Sequence, residues 1–386
     1  MSITTIPSAA AADALAAESA GLPFAHEVLD PDALSELLQR PVRITHLRIK
    51  PGHSVVAAHT DQSGRAGWTM LTNDPDKYGK ALKRAADHAL DILVHRTEPG
   101  MLYSGDVWAD TDLAKELAAA REATGEQAQW SILRFNPRRR VVACVQGAGS
   151  PKVVRVLSDS TAALLSIAAR WRHLGIPVTN AKALGRRGTA VSTPLWGTGD
   201  LAAVPHPPAA VTAGAALARL HAAEAPAELR RTPADPGPAA AGVARVAPWA
   251  AQHAEELAAR LAERLTPLEQ LPAAEVHGDL SPDQVILAAE GSHKIRLIDI
   301  DRAGAGRPMR DVGSWAAACR RDQQPELLEA FLAGYAEHAQ VDRAELNTWE
   351  AYAHLASAAD FFRRRDPAWP ALTARSLTFA EEALNR

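Results

Sequence analysis

The chain has 386 residues and a mass of 41.1 kDa, a length that predicts two or three domains rather than one. Its formal net charge is only −3, so it lacks the basic excess that is typical of nucleic-acid-binding proteins. It has neither an apolar run of the roughly 20 residues that span a bilayer nor a basic-then-apolar leader at its N-terminus.

The first half of the chain contains an approximate internal repeat. "LRIKPGHSVVA" begins at Leu47 and "LRFNPRRRVVA" begins at Leu133, with shared Leu, Arg, Pro and Val-Val-Ala positions. A second β-prone stretch and a helical pattern follow each copy, with the helices over about 77–95 and 160–174. Each unit therefore predicts three antiparallel strands covered by one helix.

The chain becomes helical after residue 200. A strand over about 189–192 runs into a hinge that contains Pro and Gly, and Ala-rich helical stretches follow it. The Pro-rich segment 225–242 predicts a surface loop, and 325–386 predicts two or three further helices. We therefore expect four parts, namely an N-terminal segment, a cap module, a second lobe with its hinge, and a helical lobe that contains one β-hairpin: 1–30, 31–125, 126–199 and 200–386.

The two cysteines, Cys144 and Cys319, are far apart in the sequence. Neither has the spacing of a metal ligand or of a disulfide framework. We expect two reduced core side chains, which fits a protein of the reducing cytoplasm.

One stretch carries charged residues that packing does not require. "VHGDLSPDQVIL" places a His, a Gly and two Asp before an apolar strand, and "KIRLIDID" follows after a Glu-Gly-Ser-His turn. A two-residue turn at Gly291 and Ser292 would set Gln284 across from Asp299, about 5 Å away. Asp279 lies on the loop that leads into this hairpin. A few oxygen ligands of this kind suit Mg²⁺ shared with a phosphate rather than zinc, which is the pattern of phosphoryl transfer.

The stretches "HGDLSPDQ" and "LIDIDRAGAGRPMRDVGSW" resemble the aminoglycoside phosphotransferase and choline kinase superfamily, which is similar in fold to protein kinases. The resemblance covers about residues 130–386. It implies a bilobal α+β, protein-kinase-like fold, here with an additional N-terminal cap. It also implies a kinase that uses ATP and Mg²⁺ to phosphorylate a hydroxyl of an aminoglycoside, a sugar or an amino alcohol. The expected partners are ATP and this acceptor, without nucleic acid or membrane, and the oligomeric state stays open.

The same resemblance implies roles for individual residues. Asp279 would be the catalytic base and His277 would help to hold its loop. Asp299 would be the Mg²⁺ carboxylate, and Asp311 would brace the catalytic loop. Gln284 stands where most members of the superfamily have Asn, and it still offers an amide oxygen as a metal ligand.

Two further regions take part in the expected site. Asp301 is either a second metal ligand or a polar strand end. The hinge residues Pro194, Leu195 and Trp196 would bind adenine through backbone groups. His221 and three tryptophans elsewhere are expected to have structural roles.

The sequence departs from the superfamily pattern on the third strand of the second lobe. A Lys is expected there, but the position holds Arg155, with Lys152 three residues earlier, and both are candidate phosphate ligands. The next helix has Ile167 where the superfamily has a Glu, so the usual ion pair cannot come from that helix. A carboxylate from elsewhere, such as the N-terminal module, a different mode of nucleotide binding, and weak catalysis all remain open.

A Gly-rich phosphate loop is also missing. The corresponding turn is "NPRRR", in which Arg139 and its two neighbours either screen phosphate charge or form a solvated basic turn. These departures keep a second hypothesis open, in which the protein is kinase-like, has lost phosphate transfer and acts as a binding or regulatory module.

Overall fold

Two five-stranded antiparallel sheets form the first half of the protein, and helices dominate the second half. The computed structural model describes residues 5–147, 149–231 and 234–386. The first four residues of the expected N-terminal segment lie outside this part, as do positions 232 and 233 of the expected loop. No helix among the described residues is long and apolar enough to cross a membrane.

Three short helices precede the first sheet. In chain order the elements are α1 (Ala9–Ala20), α2 (Ala25–Leu29), α3 (Pro31–Leu37), β1 (Val42–Lys50), β2 (Ser54–Asp61), β3 (Ala66–Thr72), α4 (Pro75–Asp87), β4 (Ile92–Arg96), β5 (Met101–Asp106) and α5 (Ala114–Thr124). The Asp30 carboxylate accepts hydrogen bonds from the first turn of α3, and Pro31 begins that helix. The predicted helix over 77–95 was too long, because the Ile-Leu-Val run after residue 91 forms β4.

The second sheet repeats the first. Its elements are β6 (Gln129–Asn136), β7 (Arg140–Gln146), β8 (Lys152–Leu157), α6 (Ala162–His173), β9 (Lys182–Ala183) and β10 (Ala190–Pro194). The strand orders β1-β2-β3-β5-β4 and β6-β7-β8-β10-β9 correspond strand for strand. The first turn of each sheet has a left-handed residue at the same repeat position, Gly52 with φ 69° and Arg138 with φ 67°. The sequence repeat is thus a structural repeat, with five strands in each copy rather than three.

The two sheets stack on each other through one shared hydrophobic core. One face of the first sheet, with Trp68 and Met70, shares a hydrophobic core with one face of the second sheet, which includes Val141 and Val154. The other face of the first sheet joins the main core together with α1, α2 and α3. Strand β2 is therefore buried on both faces, which explains its uninterrupted apolar run. The opposite face of the second sheet is left to form one wall of a cleft.

The helical part follows the hinge. Its elements are β11 (Gly199–Asp200), α7 (Pro207–Ala222), α8 (Gly237–Val246), α9 (Ala251–Leu268), β12 (Ala274–Val276), β13 (Val285–Leu287), β14 (Ile295–Leu297), β15 (Gly304–Gly306), α10 (Met309–Arg321), α11 (Pro325–Ala336), α12 (Arg343–Ser357), α13 (Asp360–Arg363) and α14 (Trp369–Leu384). The predicted loop over 225–242 was too long, since α8 begins at Gly237. Four helices, rather than two or three, lie after residue 324 in the described chain.

Helices α7 and α11 approach closely enough to require glycine on both sides. A Cβ on Gly214 would collide with the backbone carbonyl of Phe331, and a Cβ on Gly334 would collide with the carbonyl of Val211. Backbone atoms cannot move aside as the end of a flexible side chain can. This contact positions α7, and α7 carries a histidine that supports the site described below.

We expect Gly214→Ala to lower the free energy of unfolding by about 1–3 kcal/mol, because the added methyl group overpacks this helix contact. Gly79→Ala is the matched control, since Gly79 is an exposed residue in α4 with open space around its Cβ position. The control should stabilise the protein by up to about 1 kcal/mol through helix propensity. Urea unfolding measures both, and equal effects would contradict the close approach of α7 and α11.

Candidate active site

A buried carboxylate holds the "HGD" loop in place. Asp311, near the start of α10, accepts hydrogen bonds from the backbone N–H of His277 at 2.6 Å and of Gly278 at 2.7 Å. His221 on α7 adds a contact to Asp311 at 3.2 Å and is itself held by Tyr335 at 2.8 Å. Burial alone would raise the pKa of Asp311, but His221 and His277 outweigh it and hold that pKa below its ordinary 3.8. Asp311 and His221 therefore brace the loop.

His277 links this loop to the exit of the hairpin. Its Nε2 lies 2.9 Å from the carbonyl oxygen of Ile298, and its Nδ1 lies 3.3 Å from Oδ1 of Asp279. Burial alone would lower the pKa of His277, but the carboxylates of Asp279 and Asp311 outweigh it and raise that pKa above 6.5. Gly278 has φ 95°, and a Cβ there would collide with the backbone of Arg302. Only glycine fits this tight crossing without strain.

The predicted register of the hairpin is wrong by one residue. Val285 pairs with Leu297, so Gln284 faces Ile298, whose N–H donates to the Gln284 carbonyl at 3.0 Å. The loop takes seven residues, 288–294, because its turn runs from Ala289 to Ser292 rather than being a two-residue turn. Asp299 therefore does not sit across from Gln284.

Asp299 instead leaves the strand in a left-handed conformation, with φ 58°. This backbone direction carries its carboxylate toward the second sheet, where it meets Arg155. Nη2 of Arg155 lies 3.0 Å from Oδ1 of Asp299. Burial alone would raise the pKa of Asp299, but Arg155, Arg140 and Arg134 together outweigh it and lower that pKa.

Both oxygens of Asp301 are also held by guanidinium groups. Arg155 binds Oδ1, and Nη1 of Arg140 lies 2.7 Å from Oδ2. Both oxygens of Asp301 are thus engaged by arginine, and its role as a second metal ligand or as a polar strand end stays a prediction. At the expected position α6 has the buried Ile167, which cannot pair with Arg155. The carboxylate partners of Arg155 are instead Asp299 and Asp301, which follow the hairpin and do not belong to the N-terminal module.

Two of the predicted basic residues lie elsewhere. Lys152 is an odd number of residues from Arg155 on β8, so the alternation of the strand puts the two side chains on opposite faces. Arg139 is exposed in the turn after β6. The residue that reaches the carboxylates from this turn is its neighbour Arg140, which the sequence reasoning missed. The alternation of side chains along a strand could have identified Arg140, because Arg140, Val142 and Cys144 are every second residue of β7 and lie on its cleft face.

The hinge is packed against the hairpin. Pro194 ends β10, the Leu195 N–H donates to the carbonyl of Pro151 at 3.0 Å, and Arg296 lies over the ring of Trp196. Gly197 has φ 82°, and a Cβ there would collide with the backbone of β13. Leu195 remains exposed beside the cleft. Cys144 is half-buried on the cleft face, so it is not the core residue that we expected, whereas Cys319 is buried; both are free thiols.

A separate pocket of about 370 Å³ lies beside the end of the Asp279 loop, and its lining does not include Asp279 itself. The loop contributes Pro282 and Asp283, and the C-terminal helices contribute Phe361 and Leu372. The charged residues around it are Asp283, Asp322, Asp366, Arg321, Arg364 and Arg375. A larger groove of about 1130 Å³ along α11 includes none of the catalytic-loop residues.

The donor atoms of the site are compatible with a hard cation. Oε1 of Gln284 is buried and has no hydrogen-bond partner among the described residues, and the buried Oδ1 of Asp279 lies 3.3 Å from Nδ1 of His277. Within the same residues there is no cluster of three or more His, Cys, Asp and Glu that could hold a metal ion. A cation here would therefore use few protein oxygens and depend on phosphate oxygens, as Mg²⁺ commonly does.

Comparison with known proteins gives a family match for part of the chain. Residues 193–355 match the family described as "Phosphotransferase enzyme family". The resemblance to the aminoglycoside phosphotransferase and choline kinase superfamily is confirmed. No curated protein sequence matches the chain significantly.

Solved structures show the same kinase-like fold. An aminoglycoside-3'-phosphotransferase of type VIII is 22% identical with a TM-score of 0.51, and the match covers 63% of this chain and 99% of that one. A microcompartment-associated aminopropanol kinase is 17% identical with a TM-score of 0.52, covering 70% and 97%. A spectinomycin phosphotransferase in complex with ADP and spectinomycin is 14% identical with a TM-score of 0.51, covering 66% and 92%. About a third of this chain lies outside each match.

We expect Asp311→Asn to lower the free energy of unfolding by about 2–4 kcal/mol at pH 7, because an amide N–H₂ would face two backbone donors. The pKa of Asp311 is depressed in the folded protein, so its contribution is complete above the unfolded value of 3.8 and is lost as the pH falls below it. Urea unfolding of both proteins across this range measures the difference. A difference that is independent of pH would contradict a charged Asp311.

Proposed function

We propose that this protein is a phosphotransferase that uses ATP and Mg²⁺ to phosphorylate a hydroxyl of a small molecule. The observation that carries the proposal is the Asp279 loop, which Asp311 braces through two backbone N–H groups and in which Nδ1 of His277 lies 3.3 Å from Oδ1 of Asp279, so that the direction of this carboxylate is fixed. A fixed carboxylate of this kind can accept the proton of an attacking hydroxyl. The match of 193–355 to a phosphotransferase family supports the same reaction.

In this proposal the parts of the chain have separate tasks. Residues 126–199 form the nucleotide lobe and hinge, with the backbone of Pro194, Leu195 and Trp196 at the adenine. Residues 200–386 form the catalytic and acceptor lobe. Residues 31–125 form the cap, which the segment 1–30 precedes.

The metal would be held by side-chain oxygens of Gln284 and Asp299. Mg²⁺ supplies positive charge that stabilises the phosphate oxygens during transfer. The residues of this chain orient the reactants: Asp279 receives the proton of the hydroxyl, His277 fixes the direction of Asp279, and Asp311 fixes the loop. Asp301 would join the metal ligands only after its two oxygens leave Arg140 and Arg155.

The acceptor is a neutral, hydroxyl-rich small molecule such as a sugar. The pocket beside Asp283 has a volume of about 370 Å³, which suits one small ligand. Three carboxylates and three guanidinium groups surround it, so it offers donors and acceptors in equal measure and no acidic excess. A polycationic aminoglycoside would favour a surplus of carboxylates. The ring of Phe361 adds an apolar surface for one face of a sugar ring.

The acceptor can be identified by ADP formation from ATP with a panel of monosaccharides, amino alcohols and aminoglycosides. We expect turnover with monosaccharides and little with aminoglycosides. Turnover with aminoglycosides alone would overturn the acceptor class. Nucleotide binding without turnover on any acceptor would favour the second hypothesis, a kinase-like binding module.

We expect Asp279→Asn to reduce kcat by roughly 10²–10⁴-fold, the usual contribution of a general base. The affinity for ADP should change little, since Asp279 acts on the hydroxyl. Glu290→Gln is the control, because Glu290 is an exposed carboxylate at the tip of the hairpin. Steady-state kinetics with the identified acceptor and calorimetry with ADP measure the two effects, and an Asp279 variant with wild-type turnover would exclude the assigned base.

A further inference from the structure

Three arginines lie on the cleft face of three adjacent strands. Arg134 on β6 pairs with Val142 on β7, and Val142 pairs with Arg155 on β8. These three residues form one row across the sheet, so their side chains point to the same face. Arg140 is two residues from Val142 on β7 and shares that face. Strand pairing thus brings three cations together from positions that are well separated in the sequence.

The three guanidinium groups share two carboxylates. Asp299 has Arg155 at 3.0 Å, Arg140 at 3.7 Å and Arg134 at 3.8 Å. Asp301 binds Arg155 and Arg140. The local charge is therefore positive by one. Each guanidinium has five N–H donors, so this arrangement uses only some of those available.

The neighbouring arginines of the turn do not join this group. The N–H of Arg138 donates to Asp110 at 2.6 Å, and its side chain binds Asp112, both in the N-terminal module. Arg139 is exposed. The cations of the cleft are thus selected by the strand face and not by the basic turn as a whole.

We propose that Arg134, Arg140 and Arg155 form a cradle for the polyphosphate group of the nucleotide, in which the carboxylates of Asp299 and Asp301 hold the positions that phosphate oxygens take. The inference rests on the proposed function and adds two phosphate-binding residues, Arg134 and Arg140, to it. Guanidinium groups bind phosphate and carboxylate through the same paired N–H geometry, so one can replace the other. This cradle would bind the phosphates in place of the Gly-rich loop and the lysine that do so in protein kinases.

The exchange has a consequence for the carboxylates. As phosphate oxygens take the N–H donors, the carboxylate of Asp299 is released from its arginines and becomes available as a ligand. Asp301, which has a guanidinium on each oxygen, competes with phosphate for Arg140 and Arg155. Removal of its charge should therefore favour phosphate binding in the absence of metal.

The test is the affinity of the full-length protein for ADP in a metal-chelating buffer, measured by calorimetry. We expect Arg140→Gln to weaken ADP binding by about 10- to 100-fold, the usual effect of losing a charge-assisted hydrogen bond. Arg134→Gln should weaken it less, because its contact is longer and its side chain is more exposed. Arg139→Gln is the matched control from the same turn and should stay within about twofold of the wild type.

Adenosine serves as the ligand that lacks phosphate. Its affinity should be the same in the wild type and in Arg140→Gln, which separates a lost phosphate contact from a damaged fold. If adenosine binding falls together with ADP binding, or if Arg140→Gln behaves like Arg139→Gln, the cradle is wrong.

Asp301→Asn tests the exchange. We expect metal-free ADP binding to be as strong as in the wild type or stronger, since a competing anion has been removed. Binding that is weakened as much as in Arg140→Gln would overturn the exchange and make Asp301 a positioning residue for the arginines. The proposed function fails separately, if the wild type binds ADP neither with nor without Mg²⁺.

Discussion

The contact between the second sheet and the hairpin exit sets the geometry of the whole cleft. Arg155 and Arg140 belong to the sheet, whereas Asp299 and Asp301 follow the hairpin of the helical part. In the superfamily pattern the strand cation is paired with a glutamate on the following helix, but α6 offers only the buried Ile167 at the expected position. The ion pairs of this chain therefore join the two walls of the cleft directly. Since these side chains keep about a fifth of their surface exposed, solvent weakens each pair, and their main effect is on orientation.

The two walls differ in how firmly they are held. The wall that carries the Asp279 loop depends on Asp311, which is fully buried and binds two backbone N–H groups and His221. Replacing Asp311 would leave buried donors without partners. The opposite wall depends on partly exposed ion pairs, in which Arg140 and Arg155 bind the carboxylates of Asp299 and Asp301. In the proposed function, this difference would let a nucleotide bind to the arginines without moving Asp279, because the loop of Asp279 is held separately by Asp311.

The sequence predicted the surroundings of the Asp279 loop better than the arginine cluster of the second sheet. The roles of Asp279, His277 and Asp311 were implied by the resemblance to the superfamily, and the structure brings the carboxylate of Asp311, from the start of α10, to the backbone of the Asp279 loop. The hairpin register failed by one residue because the turn geometry depends on the backbone conformation of Ala289 to Ser292, which the Glu-Gly-Ser-His composition does not determine.

Which arginines of the second sheet point into the cleft depends on the alternation of side chains along its strands. The basic turn suggested Arg139, and proximity in sequence suggested Lys152 beside Arg155. Only the pairing of β6, β7 and β8 determines which cations share a face, and this pairing depends on where each strand begins and ends. Residues that are brought together by three strands leave no local signal in the sequence. The bulge that shifts the β6 register between Ile132 and Arg134 adds to this difficulty.

The structural repeat explains why the chain has two similar sheets and one cleft. In the second sheet Val142 pairs with Arg155, and in the first sheet the equivalent Val56 pairs with Met70. Met70 therefore occupies the position equivalent to that of Arg155 and is 1% exposed. The face that would line a second cleft is covered by the back of the second sheet, through Val141 and its neighbours. An apolar residue at this position lets the two sheets stack, because a buried cation without a partner would cost several kcal/mol, on the order of the penalty for an unpaired internal charge. The same strand pattern thus packs against the neighbouring sheet in one copy and presents arginines to the cleft in the other, and the difference between Met70 and Arg155 distinguishes the two copies.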